Sequence, residues 1–143
     1  MLVKQISVFL ENKSGRLAEV TKTLSRNKID IRALYIADTT EYGILRMIVD
    51  KPDEALKLLS DSGFTVSSTN VIAIAVADVP GTLDHALELL SENNISVEYL
   101  YAFVGRASTE AIVVIRVENP DTTVEMLKKS GIRVIESKEV YGL

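Results

Sequence analysis

The sequence lacks cysteine and tryptophan and has one histidine among its 143 residues. Without cysteine, the chain forms no disulfide bond and offers no thiol nucleophile or thiolate metal ligand. Aromatic residues make up only 6% of the chain, and no aromatic-rich strand is present that would stack RNA bases. The first residues hold no apolar run long enough for a signal peptide or a membrane span. We therefore expect a cytoplasmic protein that does not bind a membrane.

Positive charge is scarce in the second half of the chain. Residues 1–69 carry ten Lys/Arg and nine Asp/Glu, a net charge of +1. Residues 70–143 carry six Lys/Arg and eleven Asp/Glu, a net charge of −5. No basic face is evident that would bind a phosphate backbone, so the composition argues against nucleic-acid binding.

The chain contains one segment twice. Residues 6–66 return, shifted by 66 to 68 positions, as residues 72–134. Matched positions include Gly15 and Gly81, Leu24 and Leu90, Asn27 and Asn93, Tyr35 and Tyr101, and Gly63 and Gly131. A repeat of this length exceeds a solenoid unit and is long enough for a small domain. We predict two related modules, residues 1–69 and 70–143, which stabilise each other by packing.

Each copy has the periodicities of strand, helix, strand, strand, helix and strand. Helices are predicted over 15–27, 52–61, 81–93 and 120–129, and strands over 3–10, 30–37, 42–50, from 64 onward, 70–77, 96–104, 109–118 and 132–140. This βαββαβ order is typical of a ferredoxin-like α+β sandwich, whose helices cover one face of an antiparallel sheet. Two modules joined at the edges formed by their second strands would make one eight-stranded sheet with helices on one face.

The face of the sheet that the helices leave open is also predicted to be apolar. The third strands, Ile44–Val49 and Ile112–Val117, are apolar on nearly every residue, interrupted by Arg46 and Arg116. Strands that are apolar on both faces usually have both faces covered, so we expect a second subunit there, in a homodimer or higher oligomer. The alternative is ordinary β-propensity with a small exposed patch.

The turn after the first strand of each copy is the strongest candidate site. Copy one reads Asn12-Lys13-Ser14-Gly15-Arg16-Leu17, and copy two reads Asp78-Val79-Pro80-Gly81-Thr82-Leu83. Glycine permits a tight turn at the start of each helix, and the free amides of the first helical turn favour an anion such as a carboxylate. Asn12 or Asp78 adds an oxygen that accepts hydrogen bonds. Donors for a carboxylate beside an acceptor for an ammonium group suit an amino acid.

These turns resemble a known motif. Asp-x-Pro-Gly-x-Leu, a helix that ends near Asn-x-Ile, and the βαββαβ order are similar to the ACT domain, and two such domains cover essentially the whole chain. Copy two matches the motif in full, whereas copy one has Asn12 in place of Asp and Ser14 in place of Pro. The resemblance implies a non-catalytic regulatory protein that binds an amino acid where two modules meet.

The resemblance also implies which residues contact the ligand. In the family, the first-strand turn of one domain faces the start of the second strand of its partner. Carried over, the second-strand starts are Asp30-Ile31 and Ser96-Val97, and the turns are 12–17 and 78–83. Because the first turn carries Lys13 and Arg16 and the second carries Asp78, we expect two unequal sites.

Other candidate residues are few. His85, beside Asp84 and Glu88, is interpreted as a surface residue and not as a catalytic base. Tyr35 and Tyr101 either pack the seam between modules or contact a ligand. With no nucleophile elbow, P-loop or metal-ligand cluster, we expect no enzyme activity, cofactor or metal, and any regulated enzyme partner is not identifiable. The alternatives are a small enzyme or enzyme subunit on this fold, and a scaffold without a ligand.

Overall fold

A computed structural model describes residues 2–38, 41–103 and 109–143. The chain divides into two compact units. The N-terminal unit consists of Lys4–Thr69 and Tyr141–Leu143, and the C-terminal unit consists of Asn70–Val140 with Leu2 and Val3. Compared with the predicted division at residue 69, the two ends of the chain are therefore exchanged between the units. None of the described helices is long and apolar enough to cross a membrane.

The N-terminal unit is a four-stranded antiparallel sheet with two helices. Its elements are β1 (Val3–Glu11), α1 (Arg16–Arg26), β2 (Ile31–Asp38), β3 (Tyr42–Val49), α2 (Pro52–Asp61) and the first part of β4 (Thr65–Ala77). The strand order is β2-β3-β1-β4, so β2 lies at the edge. Alternate residues of β1 and β3 pack against Val20 and Leu24 of α1 and Leu59 of α2. The apolar residues at every second position of the strands and those at helical spacing in α1 and α2 therefore form one core.

The C-terminal unit repeats this plan. Its elements are the rest of β4, α3 (Thr82–Glu92), β5 (Val97–Ala102), β6 (Glu110–Val117), α4 (Pro120–Lys129), β7 (Arg133–Val134) and α5 (Ser137–Tyr141), of which Tyr141 belongs to the N-terminal unit. The strand order is β7-β4-β6-β5, so β5 is the edge strand equivalent to β2. Its core combines strand residues such as Ile72 and Ile115 with Leu90 of α3 and Leu127 of α4. The predicted α+β class with two βαββαβ modules is confirmed.

The described residues form seven strands, not the predicted eight. The predicted last strand of the first module and first strand of the second are one strand, β4, which continues through residues 67–70. This junction contains no glycine or proline, the residues that most favour a turn. Its Ser and Thr residues therefore continue the extended backbone of the strand. The predictions for Thr39 and Thr40 in a turn, and for Val104 at a strand end, lie outside the described residues.

The predicted strand over 132–140 is wrong in its second half. Only Arg133–Val134 pairs with β4, and the Ile135 amide donates to the Ala73 carbonyl at 2.8 Å. Residues 136–139 are all polar, and a strand would bury one of every two. A helical turn instead buries only Val140, whose amide donates to the Glu136 carbonyl at 3.1 Å.

The end of the chain is held to the N-terminal unit by hydrogen bonds. The backbone amide of Lys4 donates to the Tyr141 hydroxyl at 2.8 Å, and Arg32 Nη2 donates to the Tyr141 carbonyl at 3.2 Å. These contacts explain why the last residues belong to a unit that lies far from them in sequence.

Both faces of the central strands are buried in the C-terminal unit. Ile72 and Ile74 point into the helix-covered core, while Ala73, Ala75 and Val114 on the opposite face are at most 6% exposed. The expected covering of both apolar faces is therefore met in this unit. The chain itself buries these residues, however, so their burial does not require the second subunit that we expected to cover this face.

Candidate functional site

The first turn connects β1 to α1 around a left-handed glycine. Gly15 precedes the helix with φ of +87°, a conformation that residues with a side chain rarely adopt. The Asn12 amide donates to the Glu41 carbonyl at 2.9 Å, and the Lys13 amide donates to the Glu11 carbonyl at 2.8 Å. These bonds connect the turn to the neighbouring strand and fold it back on itself.

The second turn, between β4 and α3, has the same backbone structure. Gly81 has φ of +94°. The Asp78 amide donates to the Thr109 carbonyl at 2.9 Å, and the Val79 amide donates to the Ala77 carbonyl at 2.8 Å. Each bond is the counterpart of one in the first turn. The replacement of Pro80 by Ser14 in copy one therefore leaves the turn geometry intact.

Both turns present the start of a helix to solvent. The first backbone bonds of the i to i−4 type run from the Glu19 amide to the Gly15 carbonyl and from the His85 amide to the Gly81 carbonyl, each at 3.0 Å. The amides of Leu17 and Leu83 precede these bonds and point out of the helix end. They carry the positive end of the helix dipole and favour an anion.

The side chains of the first turn form a charged network. Arg16 Nη1 lies 3.0 Å from Glu19 Oε2, and its guanidinium carbon lies 4.9 Å from the ring centroid of Phe64. Lys13 forms an ion pair with Glu11, in which Nζ lies 2.9 Å from Oε2. The hydrogen bond from Lys13, together with its charge, lowers the pKa of Glu11 below its usual value. The guanidinium of Arg16 is therefore held between the carboxylate of Glu19 and the ring of Phe64.

The second turn is closed by a neutral side chain. The Thr82 hydroxyl lies 2.6 Å from the Ala77 carbonyl and 3.1 Å from the Val79 carbonyl, and it donates its hydrogen to these oxygens. Thr82 occupies the position of Arg16, so a hydroxyl within the turn replaces a guanidinium outside it. Asp78 is exposed beside this turn, and 58% of Val79 is exposed.

The predicted second-strand starts line a shallow groove in each unit. Thr21, Ser25, Lys28, Asp30 and Ile31 line the groove of the N-terminal unit, and the equivalent Leu87, Ser91, Asn94, Ser96 and Val97 line that of the C-terminal unit. The Asp30 amide donates to Asp50 Oδ1 at 2.9 Å, which holds this strand start against the end of β3.

Neither unit by itself brings its own turn and strand start together. They lie at opposite ends of an 11-residue helix, which is about 16 Å long. All the predicted turn and strand-start residues lie within the described part of the chain. Most of the turn residues are exposed, and Arg16, Thr82 and Leu83 are half-buried.

The structure adds three contacts that sequence patterns did not indicate. The carbonyls of Glu41 and Thr109 anchor the turns, and Phe64 supports Arg16. These residues are 29, 31 and 48 positions from the residues they contact, so no local pattern reports them. Of the recurring tyrosines, Tyr101 is only 7% exposed, whereas the Tyr35 hydroxyl accepts a hydrogen bond from Arg46 Nη1 at 2.5 Å.

Comparisons with known proteins agree with this architecture. No curated protein matches the sequence. The crystal structure of protein BT0572 from Bacteroides thetaiotaomicron is 43% identical, with a TM-score of 0.94, over 100% of this chain and 98% of that one. The regulatory subunit of aspartate kinase from Thermus thermophilus is 15% identical with a TM-score of 0.65, over 90% and 93% of the two chains, and shows a shared fold. The family model described as an ACT domain pair matches residues 1–143. The chain therefore belongs to the ACT domain pair family.

Proposed function

We propose that this protein is a non-catalytic regulator that binds an amino acid at its two glycine turns. The observation that carries the proposal is the repeated turn: Gly15 and Gly81 have the same left-handed conformation and the same surrounding hydrogen bonds. Each leaves helix amides directed toward solvent, where a carboxylate would accept their hydrogen bonds. Membership of a family of regulatory domain pairs supports the same function.

Within each turn, the carboxylate and the ammonium group of the amino acid bind to different groups of the protein. Its carboxylate is oriented by the amides at the start of α1 or α3. Its ammonium group requires an acceptor, which Asn12 supplies in the first turn and Asp78 in the second. The second-strand starts, Asp30-Ile31 and Ser96-Val97, complete the sites from neighbouring modules, because a turn and a strand start of one unit lie at opposite helix ends.

Regulation would follow from linkage. A ligand that bridges two modules stabilises the arrangement in which both contact it, and by the same free energy it changes the affinity for any partner that distinguishes the arrangements. The partner in this proposal is an enzyme, and the protein changes its activity without performing chemistry itself.

The two sites are unequal in this proposal. The first turn carries the Arg16–Glu19 and Lys13–Glu11 ion pairs, whereas the second is closed by the Thr82 hydroxyl and carries the exposed Asp78. Calorimetric titration should resolve two binding events with different affinities. A titration that fits two identical and independent sites would contradict this inequality.

A thermal-shift screen against the twenty amino acids at millimolar concentration tests the proposal. A ligand that binds only the folded state at about 100 times its Kd stabilises it by about 2.7 kcal/mol, which raises the melting temperature. Matched variants locate the sites: Asn12→Ala should remove one binding event and Asp78→Ala the other. If no amino acid at millimolar concentration raises the melting temperature, the proposal that the protein binds an amino acid is wrong.

A further inference from the structure

Two hydrogen bonds anchor Tyr141 in the N-terminal unit. The backbone amide of Lys4 donates to the Tyr141 hydroxyl at 2.8 Å, and Arg32 Nη2 donates to the Tyr141 carbonyl at 3.2 Å. The preceding residue, Val140, is fully buried and belongs to the C-terminal unit. The anchor therefore fixes the chain at the point where it passes from one unit into the other.

The same arginine also binds the predicted ligand contact at the start of β2. Arg32 Nη1 lies 2.5 Å from Asp30 Oδ2. Only 19% of the Arg32 side chain is exposed, whereas 64% of the Asp30 side chain is exposed. One guanidinium therefore joins a carboxylate that faces solvent to the carbonyl of the half-buried Tyr141.

A bulge in β2 takes Arg32 out of the regular strand pairing. Ile31 pairs with Val49 and Ala33 pairs with Ile48, so Arg32 is one extra residue in β2. Bulges change the direction of a side chain and are common beside functional sites. The backbone of β2 therefore singles out Arg32 from the residues that pair with β3.

The second repeat keeps the bulge and reverses its charge. In β5 the extra residue is Glu98, which lies between the paired residues Val97 and Tyr99. Its Oε2 lies 3.1 Å from Nε of Arg116 on the neighbouring strand. The neutral Ser96 stands where the first repeat has Asp30. The second repeat thus has a different ion pair at this place, and it serves as an internal control.

The position of Arg32 depends on the carboxylate of Asp30. The Nε atom of Arg32 is buried and has no hydrogen-bond partner among the described residues, so the guanidinium is already incompletely paired. A largely buried charge that loses its partner is destabilised. Without the Asp30 carboxylate, Arg32 would move toward water and leave the Tyr141 carbonyl. The hydroxyl bond to Lys4 would then hold Tyr141 alone and open more often.

We propose that Arg32 is a positioning residue that transmits the occupancy of the Asp30 carboxylate to the anchor of Tyr141. While Arg32 alone pairs with Asp30, the anchor is closed. A cationic group that binds the same carboxylate brings a second positive charge beside Arg32, repels it and loosens the anchor. The link from Asp30 to Tyr141 needs no ligand. That the cationic group is the ammonium group of an amino acid rests on the proposed function.

Hydrogen exchange of the Lys4 amide, followed by NMR, measures the anchor, because this amide donates to the Tyr141 hydroxyl. Tyr141→Phe removes the acceptor and should accelerate the exchange by about fivefold or more, as expected for the loss of one hydrogen bond. Asp30→Asn removes the carboxylate charge and should also accelerate it, although residues 30 and 4 are far apart in sequence. In an Arg32→Leu background, Asp30→Asn should have no further effect, because the link is already broken.

Two matched variants separate this link from general effects of charge and shape. Glu98→Gln removes one negative charge, as Asp30→Asn does, but at the bulge of the second repeat, and it should leave the exchange of the Lys4 amide unchanged. Asp30→Glu changes the side chain but keeps the carboxylate, and its exchange rate should stay near that of the wild type. Circular dichroism shows whether every variant is folded. Unchanged exchange in folded Asp30→Asn, or equal acceleration in Asp30→Glu, would overturn the proposal.

The same measurement with each of the twenty amino acids at millimolar concentration separates this proposal from the proposed function. An amino acid whose effect on the melting temperature is reduced by Asp30→Asn should also accelerate the exchange of the Lys4 amide in the wild type. If it leaves that exchange unchanged, Arg32 does not transmit its binding, and the proposal is wrong. If no amino acid raises the melting temperature, the proposed function fails, whereas the variants still decide whether Arg32 links Asp30 to Tyr141.

Discussion

The two glycine turns have the same backbone conformation but different side chains. Around Gly15 and Gly81 the torsion angles and the anchoring hydrogen bonds match, although proline stands in one turn and serine in the other. The turn geometry therefore depends on glycine and on backbone pairing with the neighbouring strand. Arg16 and Thr82 occupy the same position, yet one extends over Phe64 and the other bonds within the turn. The two repeats therefore share the backbone conformation of the turn and differ in the side chains around it.

The largest expected effect tests whether the hydrophobic cores of the two units contribute equally to the stability of the protein. Leu24 and Leu90 are matched positions, each 1% exposed, in the two cores. Leu24→Ala and Leu90→Ala should each lower the free energy of unfolding by about 2–5 kcal/mol, because each removes buried methyl groups and leaves a cavity. Chemical denaturation followed by circular dichroism measures this. A loss from only one variant would show that the cores are not equivalent.

The next effect tests the shared backbone of the turns. Gly15→Ala and Gly81→Ala should each destabilise the fold by about 1–2 kcal/mol, since a Cβ disfavours the left-handed conformation. The surrounding space is open, so conformational strain and not a steric clash is the cause. Ser14→Ala, at an exposed neighbouring position, is the control and should leave the melting temperature nearly unchanged. Equal stability of Gly81→Ala and the wild type would contradict the requirement for glycine.

A smaller effect distinguishes the two turns. Thr82→Val keeps the shape of the side chain but removes the hydroxyl that donates to the Ala77 and Val79 carbonyls. We expect a loss of about 1 kcal/mol in unfolding free energy, which is typical of one hydrogen bond. Arg16→Thr in the first turn makes the converse change and tests whether that turn can adopt the same closure. An unchanged stability for Thr82→Val would show that the hydroxyl does not hold the turn.

The smallest effect concerns the pH dependence of the first turn. Because Lys13 lowers the pKa of Glu11 in the folded protein, this pair contributes stability above the ordinary pKa of glutamate. That contribution is lost as the pH falls through the lowered folded-state value. Lys13→Gln should return the pKa of Glu11 toward its usual value, as measured by NMR titration of the carboxyl carbon. Ala77 and Val79 occupy these positions in the second turn, which therefore lacks this titration.

Sequence patterns predicted the elements that depend on short-range periodicity. The helix starts at Pro52 and Pro120 and the turns at Gly15 and Gly81 were found because proline and glycine restrict or permit the local backbone. The prediction failed after Ile135, where a helical turn replaced the expected strand. The four polar residues 136–139 would place polar side chains at buried positions of a strand, whereas a helical turn buries only Val140.

The amino-acid sequence by itself determined that this protein is two modules of one plan with two glycine turns. Repetition, apolar spacing and special backbone residues are all recorded along the chain. Only the tertiary structure decided that β4 runs through the junction, that Tyr141 bonds to Lys4, and that Arg16 lies over Phe64. These features join residues distant in sequence, or depend on the pairing of neighbouring strands. They are therefore set by packing and hydrogen bonding in three dimensions, which no local pattern encodes.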